Sequence, residues 1–283
     1  MRKETRMALL NCHMYSHALF SNISFNVCLP TPGSGDKVDY ATIKQDYGYQ
    51  DGLPVAYLLH GMYGDANSWL RFSNIDRYAQ DRRIAVVTCS AGNSFYQNMP
   101  YGQAWETFFT KELPVYMRAL FPISPRREDT FIGGFSMGGY GAWHLGLAAP
   151  EVFSKAASMS GALDIAHLYG DQKNIPSPSP FNWRAMFGDP EAIEGGGSDL
   201  FAQYRHCVET GCVPALYQAC GTEDFLYEMN QSVRKRMLAM GCDLTYNEGP
   251  GGHDWTFWDR EIGNVLDWFL KERKKADSSV IMG

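Results

Sequence analysis

Short apolar runs recur along the chain, and most are followed by a stretch whose apolar residues return at helical spacing. The runs are Val55–Leu59, Ile84–Cys89, Thr130–Gly133, Lys155–Ser160, Ala215–Cys220 and Leu244–Asn247. All are short, β-branched or small in part, and bounded by turn residues, which favours strands over buried helices. Helical patterns cover Trp105–Leu120 (interrupted by Pro114), Gly138–Ala149, Glu228–Met240 and Trp255–Lys274. Strands alternating with helices predict a mainly parallel central sheet with helices on both faces. Ahead of these units, Ile23, Phe25, Val27 and Leu29 alternate, which predicts two antiparallel strands within Leu9–Leu29. The polar Pro30–Asp51 stretch then reads as a hairpin connection and loop.

A second irregular stretch, Ser160 to about Ser198, is rich in Pro, Gly, Ser and Asn, with Phe181, Trp183 and Phe187 interleaved. Loops of this length inside a compact domain usually serve function. It is expected to form a small cap at about 161–198 on a single domain spanning 1–283. The last residues, Ala276–Gly283, read as a frayed tail.

At 283 residues the chain suits one large α/β domain. Hydrophobic residues at 45% and charged residues at 20% are ordinary for a globular protein. A formal net charge of -6 supplies no basic field for nucleic acid. No run of apolar residues is long enough to span a bilayer, so no membrane partner is expected. Met1-Arg2-Lys3 opens with basic residues, but Met7-Ala8-Leu9-Leu10 is too short for a secretory signal core. The expected location is therefore cytoplasmic, and the seven cysteines, an odd number, are expected to be reduced. Histidine, cysteine and carboxylate residues do not cluster at metal-ligand spacings, so neither a metal nor another cofactor is expected. Oligomeric state stays open, a homo-oligomer included.

Chemistry concentrates at strand ends. Gly134-Phe135-Ser136-Met137-Gly138 is a G-x-S-x-G match, which arises by chance in roughly one chain in ten of this length. Its setting adds weight: an apolar strand precedes Ser136 and a Gly/Ala-rich helix follows, as a nucleophile elbow requires. Bulky side chains at 134 and 138 would collide with the flanking strand and helix, and the helix N-terminus favours negative charge beside the serine.

A serine hydroxyl needs a base. His253, in Gly249-Pro250-Gly251-Gly252-His253-Asp254-Trp255, lies between the last strand and the last helix, at the same end of the sheet as Ser136. His144 lies two turns into the elbow helix and points away, and His13, His17, His167 and His206 lack a strand-end setting. An orienting carboxylate must lie between Ser136 and His253 in the chain order of this kind of site. Glu223 and Asp224 both follow the run ending at Cys220, and spacing alone leaves them level. Asp164 and Asp199 sit in or beside the irregular stretch, and Asp254 suits a helix N-cap.

An oxyanion needs two donors. The Met137 N–H follows the nucleophile directly. His60-Gly61-Met62-Tyr63-Gly64 follows the run Val55–Leu59, and Met62 N–H is the expected second donor, with Gly61 allowing close approach and His60 shaping the loop. Trp69, Tyr101, Trp183 and Trp255 are aromatic residues able to stack on a sugar or phenolic ring, or to serve as ordinary packing.

With these segments in place, the chain resembles the putative-esterase family, whose members include tributyrin and acetyl esterases, S-formylglutathione hydrolases, and acetyl xylan and feruloyl esterases. The likeness rests on Tyr57-Leu58-Leu59-His60-Gly61-Met62, Gly134–Gly141, Cys220-Gly221-Thr222-Glu223-Asp224-Phe225-Leu226-Tyr227 and Gly252-His253-Asp254-Trp255, and runs from about Met7 to Phe269. The resemblance implies an α/β-hydrolase fold and a Ser136–Asp224–His253 triad, and it is what selects Asp224 over Glu223. It matches Met62 and Met137 to the oxyanion positions, and Tyr101-Gly102 and Asn182-Trp183-Arg184 to parts lining the site. It implies a small-molecule ester substrate with a short acyl group. Polysaccharide-fragment esters, S-formylglutathione, acyl transfer to an alcohol, and a fold kept for binding alone are the competing expectations.

Overall fold

The computed structural model describes residues 6–33, 36–170 and 182–271. Its strands are β1 (Arg6–Ser16), β2 (Ser21–Thr31), β3 (Val55–Leu59), β4 (Ala85–Cys89), β5 (Thr130–Phe135), β6 (Lys155–Met159), β7 (Ala215–Gly221) and β8 (Leu244–Gly249). They form one sheet in the order β1-β2-β4-β3-β5-β6-β7-β8. The hairpin β1–β2 joins β4 antiparallel, and every pairing from β4 to β8 is parallel. Strands β3, β4 and β5 are buried at every position, as strands covered on both faces must be, which is why their sequences run apolar without alternating.

The helices are α1 (Tyr40–Asp46), α2 (Ser68–Phe72), α3 (Ile75–Arg82), α4 (Trp105–Thr107), α5 (Leu113–Leu120), α6 (Met137–Ala148), α7 (Ile165–Gly170), α8 (Trp183–Phe187), α9 (Leu200–Thr210), α10 (Tyr227–Ala239) and α11 (Trp255–Leu270). Helix α6 is buried almost all round, which suits its small and apolar composition. Two apolar clusters flank the sheet. One gathers α5, α6 and α9 around residues such as Phe109, Trp143 and Tyr140, and the other gathers α3 and α11 around Trp69, Ile262 and Phe269.

Several expectations change. The turn between β1 and β2 lies at residues 17–20, so Pro30–Asp51 is not the hairpin connection, and it contains α1, capped by Asp39. The break within Trp105–Leu120 comes at a π-helical turn, Phe108–Glu112, upstream of Pro114. Pro114 itself opens α5, where its missing N–H costs nothing. The stretch read as irregular carries α7, α8 and a 3-10 turn at Pro190–Ala192. Residues 171–181 of the expected cap, including Phe181, and the expected tail 276–283 lie outside the described residues. All seven cysteines are free thiols, and burial pushes those of Cys28, Cys89 and Cys220 up to about 12. Among the described residues, no helix is long and apolar enough to cross a membrane.

The chain runs from β3 outward to β4 and then returns to β5 on the other side of β3. The direction of the chain thus reverses between β3 and β5, whose carboxyl ends meet where Leu59 pairs with Gly134. Ligands of open α/β sheets bind at such a reversal.

Candidate active site

Ser136 stands at that reversal, directly after β5. It leaves β5 with φ 55° and ψ −122° and becomes the N-cap of α6. A left-handed φ at a residue with a Cβ is strained, and the surroundings hold it. Ser136 N–H donates to Met159 O at 3.0 Å, and Ser136 O accepts from Gly139 N–H at 2.9 Å. Glycine is required on either side: a Cβ on Gly134 would lie 2.3 Å from Gly138 O, and one on Gly138 would lie 2.6 Å from His60 O and Leu59 O. The turn thus presses β5, α6 and the β3 end into one contact and lifts the serine clear of them.

His253 arrives from the loop after β8, and Asp224 from the turn after β7. His253 Nε2 lies 2.9 Å from Ser136 Oγ, and its Nδ1 lies 2.9 and 3.0 Å from the two Asp224 oxygens. An ionised Asp224 places the ring proton on Nδ1, which leaves Nε2 to accept from the Ser136 hydroxyl. Burial pushes the Asp224 carboxyl up, but the His253 ring, the Leu226 N–H at 2.8 Å and the Ser160 hydroxyl outweigh it and hold it below the usual aspartate value. Trp258 makes a T-shaped contact with His253 from the buried side, with ring centroids 5.0 Å apart, and donates its Nε1–H to Ser160 Oγ at 3.1 Å.

Glu223, level with Asp224 on spacing, does different work. Its carboxylate accepts from Gly251 N–H and its own N–H donates to Gly251 O, a reciprocal clamp on the loop that carries His253. The Gly251 N–H and the Thr222 hydroxyl lower its pKa. Asp254 N-caps α11 and Asp199 N-caps α9, while Asp164 accepts from His167 N–H.

On the other flank, Gly61 lies against the nucleophile: a Cβ there would be 2.6 Å from the Phe135 ring and 3.3 Å from Ser136 Cβ. Neither Met62 N–H nor Met137 N–H has an acceptor among the described residues. His60 is buried; its Nε2 accepts from Ala91 N–H at 2.9 Å, which leaves Nδ1–H to donate to Gly61 O at 2.7 Å. Burial lowers its pKa and keeps it neutral. Tyr96 adds its hydroxyl to His60 O at 2.9 Å.

The aromatic residues separate. Trp69 is fully buried, with its Nε1–H on Leu59 O, so it has no face to offer a ligand. Trp183 is stacked between Tyr169 and Phe187 and also touches Phe95. Trp255 packs on Trp69, Phe72, Phe135 and Trp258. Tyr101 stands exposed on a turn closed by Gly102 N–H to Met99 O, without a ring contact or hydrogen bond to Ser136, Asp224 or His253. His144 is buried on α6 between Gln203 and Glu106, away from Ser136. Sequence reasoning does not pick out Ser160, Trp258 or Phe225. The first two act through tertiary contacts that no local pattern encodes, and the third sits beside Asp224 in a motif already in view.

With this geometry in place, likeness to known proteins has a structural meaning. A family model described as "Putative esterase" matches residues 43–269. An acetyl esterase of Caldicellulosiruptor saccharolyticus is 34% identical over 94% of this chain and 99% of its own length. A diacylglycerol acyltransferase/mycolyltransferase of Mycobacterium avium is 30% identical over 83% of this chain and 73% of its own. Among solved structures, a fluorophosphonate-binding serine hydrolase of Staphylococcus aureus superposes with a TM-score of 0.82 at 26% identity, covering 94% of this chain and all of that one. An S-formylglutathione hydrolase of the same organism gives 0.78 at 27%, covering 94% and 99%. The fold is that of the α/β-hydrolase esterases.

Proposed function

The chain belongs to the putative-esterase family, and from that premise we propose that it is a serine carboxylesterase acting on short-chain acyl esters through an acyl-enzyme at Ser136. The observation that carries the reading is the unbroken line from Ser136 Oγ through His253 to Asp224, with two backbone N–H groups left without acceptors beside it.

In this mechanism His253 Nε2 takes the Ser136 proton as Oγ attacks the ester carbonyl. The carbonyl oxygen gains negative charge and is received by the N–H groups of Met62 and Met137, the latter at the positive end of α6. Asp224 keeps the imidazole in register and stabilises it once protonated. The tetrahedral adduct collapses: the carbon–alkoxy bond breaks with its electron pair on oxygen, and His253 returns the proton to the departing alcohol. Water then adds to the acyl carbon and gives its proton to His253. The adduct collapses once more, releasing the acid and restoring the Ser136 hydroxyl. The short-acyl assignment draws on the acetyl esterase relative. Residues 161–170 and 182–198 are assigned to a cap on a single domain, anchored by Trp183 and Phe187 against Phe95 and by Phe187 against Tyr140 of α6.

Ser136→Ala is expected to abolish turnover of p-nitrophenyl acetate and butyrate, and undiminished activity would sink the assignment. A second reading, capture of the acyl group by an alcohol, is favoured by the mycobacterial acyltransferase relative. Chromatography of products with and without added alcohol separates the two: hydrolysis carries the acyl group only to the free acid, and transfer carries it to a new ester.

A further inference from the structure

Asp224 is held by a tight turn: its N–H donates to Gly221 O at 3.2 Å, its carboxylate accepts from Leu226 N–H, and its own carbonyl accepts from Tyr227 N–H at 2.9 Å. Leu226 is buried beneath this turn. Phe225, between them, is thrown to its crest. The residue is 77% exposed, yet its ring centroid lies 4.5 Å from that of His253 at a tilt of 48°. An isolated exposed phenylalanine is ordinary on a protein surface. The position of this one is what matters. The imidazole has Trp258 on its buried side, only 5% exposed, and Phe225 is its exposed aromatic neighbour.

The chemistry fixes what comes near that ring. In acylation the protonated Nε2 must reach the alkoxy oxygen of the leaving alcohol, within hydrogen-bond distance. The carbonyl oxygen is drawn the other way, toward the Met62 and Met137 N–H groups. Whatever is attached to the alkoxy oxygen therefore extends from the His253 side. We propose that Phe225 is the platform for the alcohol portion of the ester, and that it selects flat, apolar alcohol groups, aryl alcohols above all. Offset or edge contact between the two rings supplies the preference. This inference rests on the acyl-enzyme reading above and adds the alcohol class to it. It also restricts the effect in time: once the alcohol has left, every acetate ester yields the same acetyl-enzyme, and Phe225 has no further part in discrimination.

The test compares kcat/KM for phenyl acetate and methyl acetate, which reports steps up to release of the alcohol. In Phe225→Ala the ratio of the two is expected to fall about tenfold, the scale of losing one apolar contact in the transition state. Phe225→Tyr should retain the wild-type ratio, and Phe225→Leu should fall between. An unchanged ratio in Phe225→Ala overturns the proposal. So does an equal fall for both esters, which would mean that the ring serves only to hold His253. Mass spectrometry of the acetyl-enzyme, with Ser136→Ala alongside, keeps the two readings apart. An acetyl group on Ser136 with an unchanged ratio removes Phe225 alone. Turnover by Ser136→Ala at the wild-type rate removes the acyl-enzyme reading beneath it.

Discussion

The two flanks of Ser136 are built from opposite materials. On the β3–β4 side the backbone nearest Ser136 is fixed by buried, neutral groups: His60 between Ala91 N–H and Gly61 O, Tyr96 on His60 O, and Trp69 on Leu59 O, while the one carboxylate of that loop, Asp65, bonds Asn67 N–H and the Ser68 hydroxyl farther along. On the β7–β8 side they are fixed by carboxylates: Asp224 on His253 and Leu226, and Glu223 on Gly251. The difference follows from what each side does in the proposed reaction. Donors to an oxyanion must be placed beforehand in a site whose own charges do not compete with the substrate, so rigid neutral packing serves. Proton transfer needs a charge that stays put while the imidazole gains one, so ionised carboxylates serve.

The largest break in this comparison comes from removing that charge. Asp224→Asn keeps size and much of the hydrogen bonding, but an amide no longer stabilises the imidazolium and can enforce the wrong tautomer. A fall in kcat of about 10⁴ is expected with the thermal midpoint little changed. Measuring kcat beside a melting curve checks it. A loss of only a few-fold would move the acid elsewhere, with Glu223→Gln as the direct comparison.

On the neutral flank the expected damage is structural first. His60→Ala strips the acceptor from Ala91 N–H and the donor from Gly61 O inside a packed region, so stability should drop by about 2–4 kcal/mol. Because Gly61 adjoins Met62, kcat should fall with it, by about 10²-fold for a displaced oxyanion donor. The residue also carries a pH signature. Its folded pKa lies below the ordinary histidine value, so the unfolded chain binds the proton first. Its contribution is complete above the ordinary histidine range and is lost as pH falls below it. Urea melts at pH 7.5 and 5.5 should show wild type losing more on acidification than His60→Ala. An equal loss would place the acid sensitivity at other groups.

These contrasts also mark what is legible in the sequence. Strands β3 to β7 are readable because a short apolar run bounded by turn residues suits little besides a strand covered on both faces. Ser136 is readable because the glycines its turn demands, Gly134 and Gly138, lie within two residues of it. The pairing of Ser136 with His253 needs only the rule that chemistry gathers at carboxyl ends. Spacing cannot separate Glu223 from Asp224, since neighbours in a turn diverge by a rotation that no local pattern records. The resemblance does separate them, and the geometry supplies the reason: one side chain turns toward the imidazole, the other toward Gly251. Helix α1 escapes the pattern because it buries no residue and therefore leaves no apolar stripe. Trp69 looks in sequence like an aromatic that binds ligand, and only its burial distinguishes packing from display.

Glu223 supplies the smallest and sharpest test of the charged flank. It is exposed, so it stabilises the whole fold little, but it ties Gly251, two residues before His253, to the turn that carries Asp224. Glu223→Gln exchanges a charged acceptor for a weaker neutral one, and kcat on p-nitrophenyl acetate is expected to fall about two- to fivefold, far less than for Asp224→Asn. The sign of its pH dependence follows from the carboxyl's lowered pKa. The clamp is present above the ordinary glutamate pKa and is lost as pH falls through the lower folded value. Protection of the Gly251 amide against hydrogen exchange should therefore exceed that of Glu223→Gln at pH 7, and the gap should close on acidification below the glutamate range. Were there no gap at pH 7, the tie would be the backbone bond from Glu223 N–H to Gly251 O alone, which both proteins keep, and this side of the nucleophile would owe its rigidity to one carboxylate rather than two.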